Sequence, residues 1–221
     1  MKILIVEDEK ELAKSMVHYL QNEDYFCETV GDIEAARVKI GLFDYDCILL
    51  DIMLPNGSGL DLLEEIKKAN KMDGVIIISA KNSVEDRIFS LKLGADDYLS
   101  KPFNLAELSA RIQSIIRRRN FDGNNIIQYK NLVIDLNAKS VKVDDVEVEV
   151  TKSERALLIF LLLNKGKVVS KNSIAEHLSG QSAMYFDNFD IIYTHIKNLK
   201  KKLGTAGEFI KTIYGTGYKL V

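Results

Sequence analysis

Apolar segments alternate with amphipathic helical patterns along the first 120 residues, and this alternation restricts the fold of the 221-residue chain more than any other feature. The apolar segments are short and rich in aliphatic side chains, as strands are, and lie at residues 2–6, 25–30, 46–50, 74–79 and 96–100. The helical patterns have apolar residues three and four positions apart and lie at residues 10–22, 32–42, 58–70, 83–93 and 104–119. Five strand–helix units in series predict a parallel sheet with helices on both faces.

The pattern changes after residue 120. Residues 122–125 (Asp-Gly-Asn-Asn) form a turn-rich run that predicts a short linker. We therefore expect a first domain at residues 1–120, a linker at residues 121–125 and a second domain at residues 126–221.

The second domain begins with short strand-like segments at residues 126–150. Thr151, with Glu154 three residues later, predicts a capping box at the start of a helix. Two further helices are predicted at residues 170–178 and 187–203, and a β-hairpin at the C-terminus. Strands, three helices and a terminal hairpin indicate a smaller α+β domain of the winged helix-turn-helix type.

Composition excludes several classes of protein. Hydrophobic residues make up 47% and charged residues 28% of the chain, as in globular domains and unlike disordered chains. No apolar run approaches the roughly 20 residues that cross a bilayer, and the N-terminus lacks the pattern of a signal peptide. Cys27 and Cys47 lie in apolar strand-like segments, which predicts buried, reduced thiols in a cytoplasmic protein without membrane contact.

The two halves of the chain differ in charge. Residues 121–221 hold 14 Lys or Arg and 11 Asp or Glu, a net charge of +3, whereas the whole chain carries −2, so residues 1–120 carry −5. An acidic first half and a basic second half predict different partners for the two domains.

Three carboxylates follow two of the predicted strands. Asp51 ends the strand at residues 46–50, and Glu7 and Asp8 end the strand at residues 2–6. The carboxyl ends of parallel strands open into the crevice where α/β sheets bind ligands. Because two such charges about 4 Å apart repel by roughly 4 kcal/mol at an effective dielectric near 20, we expect a bound divalent cation.

Ser79 and Lys101 lie where the fourth and fifth predicted strands end. Mg²⁺ commonly takes one or two carboxylates together with phosphate oxygens. A lysine and a hydroxyl can stabilise the oxygens of a transferred phosphoryl group, and an aspartate can accept that group as an acyl phosphate. A single Asp after a strand is usually a turn former, and a single Lys before Pro usually lies on the surface. Five such residues at successive strand ends favour one phosphoryl-transfer site.

Residues 1–119 resemble the receiver domain of bacterial two-component response regulators. The matching residues are Glu7, Asp8, Asp51, Met53, Pro55, Gly57, Gly59, Ser79, Ala80, Lys101, Pro102 and Phe103. This resemblance implies a flavodoxin-like, doubly wound sheet of five parallel strands in the order 2-1-3-4-5.

The resemblance also implies roles for the residues of the acidic crevice. Asp51 would accept phosphate from a histidine kinase. Mg²⁺ would be held by Asp8, by Asp51 and by the backbone carbonyl of Met53, with Glu7 acting through water. The residues expected to stabilise the phosphate or to switch conformation are Ser79, Tyr98 and Lys101.

Residues 94–99 (Gly-Ala-Asp-Asp-Tyr-Leu) resemble the OmpR/PhoB group, whose members dimerise through the fourth helix, fifth strand and fifth helix. The positions that match charged residues of that interface are Arg87, Asp97, Glu107 and Arg111. Without the resemblance, four solvated surface charges that pair weakly would explain these residues equally well.

The predicted helix at residues 187–203 has two faces. One is an apolar stripe of Ile192, Ile196, Leu199 and Leu203. The other, flanked by Lys200 and Lys202, carries side chains that can reach base edges and phosphates, namely Thr194, Lys197, Asn198 and Lys201. A solvated lysine-rich face is the alternative reading of this helix alone.

Residues 126–221 resemble the OmpR/PhoB effector domain in three segments: residues 151–154, 203–204 and 212–218. The terminal hairpin would be the wing, with Tyr214 and Thr216 at the DNA. The chain departs from the family at Tyr193, commonly acidic, at Lys200, more often Arg, and in having no Trp near residues 178–180, so the target sequence does not follow.

These features predict a DNA-binding transcriptional regulator in which phosphorylation of Asp51 promotes dimerisation and promoter binding. The implied partners are a sensor histidine kinase, double-stranded promoter DNA, a second copy of the chain and RNA polymerase. Enzymatic activity is expected only as Mg²⁺-dependent self-phosphorylation from a donor and slow loss of the phosphoryl group.

Three other functions fit the sequence less well. An aspartyl-phosphate phosphatase or phosphotransferase would place a second Asp two residues after the nucleophile, where this chain has Met53. A flavin mononucleotide binder would need a hydroxyl- and glycine-rich loop where Glu7 and Asp8 lie. Phosphorylation-independent DNA binding is disfavoured by the intact acidic cluster and Lys101.

Overall fold

The computed structural model describes residues 1–69, 71, 73–81, 83–179 and 189–221. These residues form two compact units, Met1–Arg119 and Asn120–Val221. Within the described ranges, no helix combines the length and apolarity needed to cross a bilayer.

A five-stranded parallel sheet forms the centre of the first unit. Its strands are β1 (Lys2–Val6), β2 (Phe26–Val30), β3 (Cys47–Asp51), β6 (Gly74–Ser79) and β7 (Asp97–Ser100). Their order is β2-β1-β3-β6-β7, which confirms the predicted flavodoxin-like order 2-1-3-4-5. Two short strands, β4 (Met53–Leu54) and β5 (Gly57–Ser58), pair antiparallel directly after β3.

Five helices follow the strands of this sheet in turn. They are α1 (Lys10–Asn22), α2 (Ile33–Leu42), α3 (Gly59–Lys68), α4 (Val84–Leu93) and α5 (Leu105–Asn120). The side chains of Asp32, Ser58 and Ser83 accept hydrogen bonds from backbone N–H groups in the first turns of α2, α3 and α4, which fixes where these helices begin. Residue 70, the expected end of the third helix, lies outside the described residues.

The core of the first unit lies on both faces of the sheet. Every residue of β1, β3 and β6 is buried, as expected for central parallel strands. In contrast, α4 buries only Ser90. The sheet therefore holds the strand ends rigidly, while α4 leaves most of its surface exposed.

Among its described residues, 120–179 and 189–221, the second unit contains two antiparallel sheets and three helices. One sheet has the order β11-β10-β9-β8 and the other β12-β14-β13. The strands are β8 (Ile126–Tyr129), β9 (Leu132–Asp135), β10 (Ser140–Val143), β11 (Val146–Glu147), β12 (Val168–Ser170), β13 (Ile210–Ile213) and β14 (Gly217–Leu220). The helices are α6 (Lys152–Leu163), α7 (Lys171–Ser179) and α8 (Phe189–Lys202), followed by a 3₁₀ turn at Gly204–Phe209.

The predicted winged helix-turn-helix arrangement is confirmed by three helices followed by the β13–β14 hairpin. The capping box is also confirmed, since Thr151 and Glu154 make both of its reciprocal hydrogen bonds. Residues 187 and 188, the expected start of the last helix, lie outside the described residues. The pairing of β12 with β14 was not predicted.

Candidate functional site

The sheet brings the three predicted carboxylates together. Strands β1 and β3 are neighbours in register, with Val6 opposite Leu50, so the residues that follow them share one edge. One ligand atom from each of Glu7, Asp8 and Asp51 lies within 4.8 Å of the others. Glu7 and Asp51 are buried, whereas Asp8 is exposed. The carboxylates thus form a pocket that is open on the Asp8 side.

Lys101 holds two of these carboxylates. Its Nζ donates to Oε1 and Oε2 of Glu7 at 2.9 and 2.7 Å and to Oδ2 of Asp51 at 2.5 Å. Burial raises the pKa of Glu7, although Lys101 opposes this effect. Burial alone would lower the pKa of Lys101, but the hydrogen bonds from Lys101 to Asp51 and Glu7 raise it above its usual range. A charged lysine therefore offsets part of the negative charge of the two buried acids.

Met53 contributes its backbone to the same pocket. Its N–H donates to Oδ1 of Asp51 at 2.9 Å, while its side chain is 59% exposed. This bond orients the Asp51 carboxylate, and the side chain adds no second acid beside it.

Ser79 and Tyr98 meet at one short backbone segment. Ser79, at the end of β6, is fully buried and follows Ile78, which lies opposite Asp51. Its Oγ accepts a hydrogen bond from the N–H of Lys81 at 3.1 Å. The buried Tyr98 hydroxyl donates to the carbonyl of Lys81 at 2.6 Å, and burial raises the pKa of this phenol. The hydroxyls of Ser79 and Tyr98, the predicted switch pair, thus both contact the backbone of Lys81.

The donor set suits a small, hard cation. All of the predicted ligand atoms are oxygens, the type that Mg²⁺ prefers, and the three candidate side-chain ligands are carboxylates. Their separation of up to 4.8 Å is close to the roughly 4.2 Å that spans an octahedral ion with bonds of about 2.1 Å. Together with Lys101, the pocket could bind an ion and neutralise the oxygens of a phosphoryl group on Asp51.

The predicted interface charges fall into two groups. Arg111 pairs within the chain, with Oδ2 of Asp97 at 2.7 Å and Oε1 of Glu107 at 2.7 Å. Arg87 lies exposed on α4, and it forms no ion pair with the residues that the structure describes. The structure therefore brings three of the four together on β7 and α5.

Helix α4, which carries Arg87, also has an exposed apolar stripe that was not predicted from the sequence. Val84, Ile88 and Leu91 are 62%, 46% and 46% exposed. Their spacing of four and three places them on one side of α4. The spacing is visible in the sequence, but the same spacing is typical of a core-facing side, so the sequence alone does not show that this side is exposed.

The predicted faces of α8 are arranged as expected. Ile192, Ile196 and Leu199 are buried. The residues of the opposite face are exposed, namely Thr194, Lys197, Asn198 and Lys201. Thr194 Oγ1 donates to the carbonyl of Asp190 at 2.8 Å, so its methyl group is the freer part of the side chain.

The tip of the terminal hairpin is open to solvent. Tyr214 is 94% exposed and Thr216 is also exposed. Both lie in the turn between β13 and β14. They are free to contact a ligand.

Lys202 differs from the neighbouring lysines of α8. Its Nζ lies 2.7 Å from Oε2 of Glu154, a carboxylate only 2% exposed at the start of α6. The sequence placed Lys202 beside the polar face but did not identify this partner.

Comparison with known proteins identifies relatives along the whole chain. Residues 3–113 match the family described as response regulator receiver domain, and residues 145–220 match the family described as transcriptional regulatory protein, C terminal. The chain is 38% identical to the transcriptional regulatory protein PmrA of Pectobacterium parmentieri, covering 100% of this chain and 97% of that protein. It is 35% identical to the cell cycle response regulator CtrA of Brucella anthropi, with 100% and 95% covered.

A solved structure gives a similar result. The response regulator DrrB, an OmpR/PhoB homologue from Thermotoga maritima, aligns with a TM-score of 0.50 and 27% identity. The alignment covers 100% of this chain and 98% of DrrB. Both the order of the two domains and their folds are shared.

Proposed function

Since the chain belongs to the OmpR/PhoB-type response regulators of two-component systems, we propose that Asp51 accepts a phosphoryl group from a sensor histidine kinase. The chain is a transcriptional regulator with a receiver domain and a DNA-binding effector domain. We place the domains at residues 1–120 and 126–221, joined by residues 121–125. The proposed location is the cytoplasm, where such a regulator meets its promoters.

The proposal rests chiefly on the ion pairs of Lys101. A lysine held between Glu7 and Asp51 supplies positive charge where a phosphoryl group on Asp51 would carry negative charge. Receiver domains bind Mg²⁺ in their acidic pocket, and we propose that Glu7, Asp8, Asp51 and the Met53 backbone hold Mg²⁺ here. The ion would neutralise the charge that develops during transfer.

The proposed switch follows from the contacts of residues 79–81. Ser79 would turn its hydroxyl towards a phosphoryl group on Asp51, which would break its bond to the Lys81 N–H. Tyr98 already bonds to the Lys81 carbonyl, so movement of this segment is passed to the ring. Phosphorylation shifts the population towards the active conformer because the phosphoryl group contacts that conformer better.

The active conformer is proposed to form a homodimer through α4, β7 and α5. The exposed stripe of α4 supplies apolar area, and Arg87, Asp97, Glu107 and Arg111 supply the polar rim. Arg111 would exchange its ion pairs with Asp97 and Glu107 of its own chain for ion pairs across the interface. Such exchange costs little because exposed ion pairs are weak.

DNA contact is proposed for the exposed face of α8 and the wing. The proposed contact residues are Thr194, Lys197, Asn198, Lys201, Tyr214 and Thr216. Dimerisation would place two α8 helices on neighbouring half-sites, and RNA polymerase is the expected further partner. The chemistry of the receiver is limited to self-phosphorylation from a donor and slow dephosphorylation, because Met53 offers no general acid.

The decisive experiment is phosphorylation by a small donor. The full chain is incubated with acetyl phosphate and Mg²⁺, and its intact mass is measured with and without hydroxylamine, which cleaves acyl phosphates. We expect one phosphoryl group, dependent on Mg²⁺ and labile to hydroxylamine.

Two variants complete this test. Asp51→Asn should abolish the adduct, and Asp61→Asn, at an exposed position of α3, should leave it unchanged. An unmodified wild-type chain, or an adduct that persists in Asp51→Asn, would disprove the assignment.

A further inference from the structure

We propose that Lys202 is a positioning residue of the effector domain: it binds Glu154 rather than DNA and thereby fixes the angle at which α8 presents its DNA-contacting face. This inference rests on the proposed function, in which the exposed face of α8 contacts DNA. It separates Lys202 from Lys201, although the two are consecutive in a run of three lysines.

A single carboxylate oxygen connects the two helices. Oε2 of Glu154 accepts from Nζ of Lys202 at 2.7 Å and from the N–H of Thr151 at 2.8 Å. Thr151 Oγ1 in turn accepts from the N–H of Glu154 at 3.3 Å. The group that caps the start of α6 is therefore also the group that holds the end of α8.

The position of Lys202 around α8 separates it from the DNA face. Successive residues of an α-helix are turned by about 100°, so Lys202 lies roughly a quarter-turn from Lys201. Lys201 and Lys202 are both exposed, but Lys201 shares its side of the helix with Lys197, whereas the Lys202 ammonium group reaches Glu154 at the start of α6. A lysine whose ammonium group is held in this way has little reach left for a phosphate.

The environment of the pair makes it difficult to replace. Glu154 is only 2% exposed, and a buried carboxylate must be paired. Burial tends to raise its pKa, but the hydrogen bonds from Lys202 and Thr151, together with the charge of Lys202, outweigh this effect and keep the pKa below its usual range. The pair also suits the helix ends, because an acid at the start of α6 and a base at the end of α8 both complement the helix dipoles.

Base recognition depends on the orientation of α8 more than phosphate contact does. Side chains that read base edges must meet donors and acceptors at fixed places, whereas lysines reach phosphates over a range of orientations. Loss of the ion pair between Lys202 and Glu154, which links α8 to α6, should thus lower the affinity for a specific DNA site without changing non-specific DNA binding.

The test compares full-length variants on two DNA probes. One is a duplex selected from a random library with the full-length wild-type chain, and the other is an unselected random duplex. Affinities are measured across a salt series, and the concentration of active protein is titrated for each variant. The variants are Lys202→Met, Lys201→Met as matched control, and the pair Glu154→Gln with Lys202→Met, in which Gln preserves the capping box.

For Lys202→Met we expect an affinity for the selected duplex lower by about tenfold, with an unchanged salt slope and unchanged random-duplex affinity. Lys201→Met should weaken both duplexes and reduce the magnitude of the slope by about 0.9. The double variant should keep the lower affinity for the selected duplex, because it also lacks the ion pair that links α6 to α8, although it no longer buries an unpaired carboxylate.

Two results would overturn the proposal. A salt slope of smaller magnitude in Lys202→Met would mean that Lys202 contacts phosphate. If each active molecule of Lys202→Met bound the selected duplex with wild-type affinity, the ion pair would affect stability alone.

An unchanged slope in Lys201→Met would instead refute the DNA face itself. The positioning role would then be decided by amide exchange in the last turn of α8. Faster exchange in both Lys202→Met and the double variant would support it, and unchanged exchange, or faster exchange that the double variant reverses, would refute it.

Discussion

Lys101 illustrates how much of the acidic pocket depends on one residue. Its ammonium group lies against both buried carboxylates, and its side chain is only 17% exposed. The pocket therefore carries its own cation before any metal ion arrives. A bound Mg²⁺ must share the carboxylates with this lysine.

Replacement of Lys101 by Met should strengthen Mg²⁺ binding. Without the ammonium group the carboxylates repel one another more, and a divalent ion relieves more repulsion. We expect affinity higher by about tenfold, or ~1.4 kcal/mol, measured by isothermal titration calorimetry. Lys81→Met, at an exposed side chain, is the control and should match wild type. Weaker Mg²⁺ binding in Lys101→Met would mean that the lysine orients the ligands instead of competing with the ion.

Glu28 lies in a second buried ion network, remote from the candidate site. It pairs with Lys2 at 2.9 Å and Lys39 at 3.0 Å, and it accepts from the Tyr45 hydroxyl at 2.9 Å. The Lys2 ammonium group also lies 4.4 Å from the centre of the Phe43 ring. Burial favours the protonated form of Glu28, but the hydrogen bonds from Lys2 and Lys39 outweigh it and lower the pKa.

The stability of the first unit should depend on pH through Glu28. An acid whose pKa is lower in the folded state stabilises the fold above its unfolded pKa, near 4.5, and loses this effect as pH falls through the folded pKa. Glu28→Gln should cost about 3–5 kcal/mol at pH 7, because it leaves the buried Lys2 without its carboxylate partner. Urea unfolding should show the difference from wild type shrinking below pH 4.5. A difference that stays constant with pH would contradict this account.

At the scale of elements, α4 stands apart from the other helices of the first unit. Its neighbour α3 buries Leu62, Leu63 and Ile66, whereas α4 buries only Ser90. A helix with so little buried area is held weakly by the core. It is therefore suited both to shift on phosphorylation and to pack against a second copy.

The apolar stripe of α4 should be required for dimerisation. Ile88→Asp places a charge in the middle of the stripe and should abolish the dimer that forms with Mg²⁺ and beryllofluoride, a mimic of the phosphoryl group. Sedimentation velocity measures the effect. Val38→Asp is the matched control, since Val38 is 60% exposed on α2, and it should dimerise normally. A dimer that survives Ile88→Asp would exclude α4 from the interface.

Elements whose signals are local could be predicted, and those that depend on distant partners could not. The capping box depends only on Thr151 and Glu154, which lie within four consecutive residues, and the structure confirms it. Strand β12 was missed because three residues carry little pattern of their own and pair with β14 far along the chain.

The same distinction holds for the candidate sites. Asp51 and Glu7 were found because the ends of parallel strands meet at one edge of the sheet. Lys202 and Glu154 are 48 residues apart, and nothing near either residue in the sequence indicates the other. Within the run of three lysines, the sequence does not indicate which one reaches the buried carboxylate.

At the scale of the whole molecule, the first unit contains the candidate phosphorylation site and the second contains the candidate DNA-contacting residues. Each has its own sheets and core, and the chain passes between them near residue 120. The first 120 residues are acidic and the rest basic. On the proposed function, phosphorylation in the first unit would raise DNA affinity by bringing two second units together, without altering the proposed DNA-contacting surface of either.

A longer linker between the two units should weaken the effect of phosphorylation on DNA affinity, without changing phosphorylation itself or the affinity for a single half-site. Asn124 N–H bonds to the Phe121 carbonyl at 2.8 Å, and Gly123 has a φ of +82°, so the connection contains a tight turn. An insertion of Gly and Ser residues after Gly123 increases the volume that the second effector domain explores. The effective concentration for binding the second half-site falls roughly as the −3/2 power of linker length.

We therefore expect a twenty-residue Gly/Ser insertion to reduce the phosphorylation-dependent gain in affinity for paired half-sites by about five- to tenfold. Phosphorylation by acetyl phosphate and affinity for a single half-site should not change, and these serve as internal controls measured on the same variant. Fluorescence anisotropy on duplexes with one or two half-sites measures the ratio directly. A full gain with the longer linker would mean that phosphorylation acts within each chain on the DNA-contacting face, and that dimerisation follows DNA binding instead of driving it.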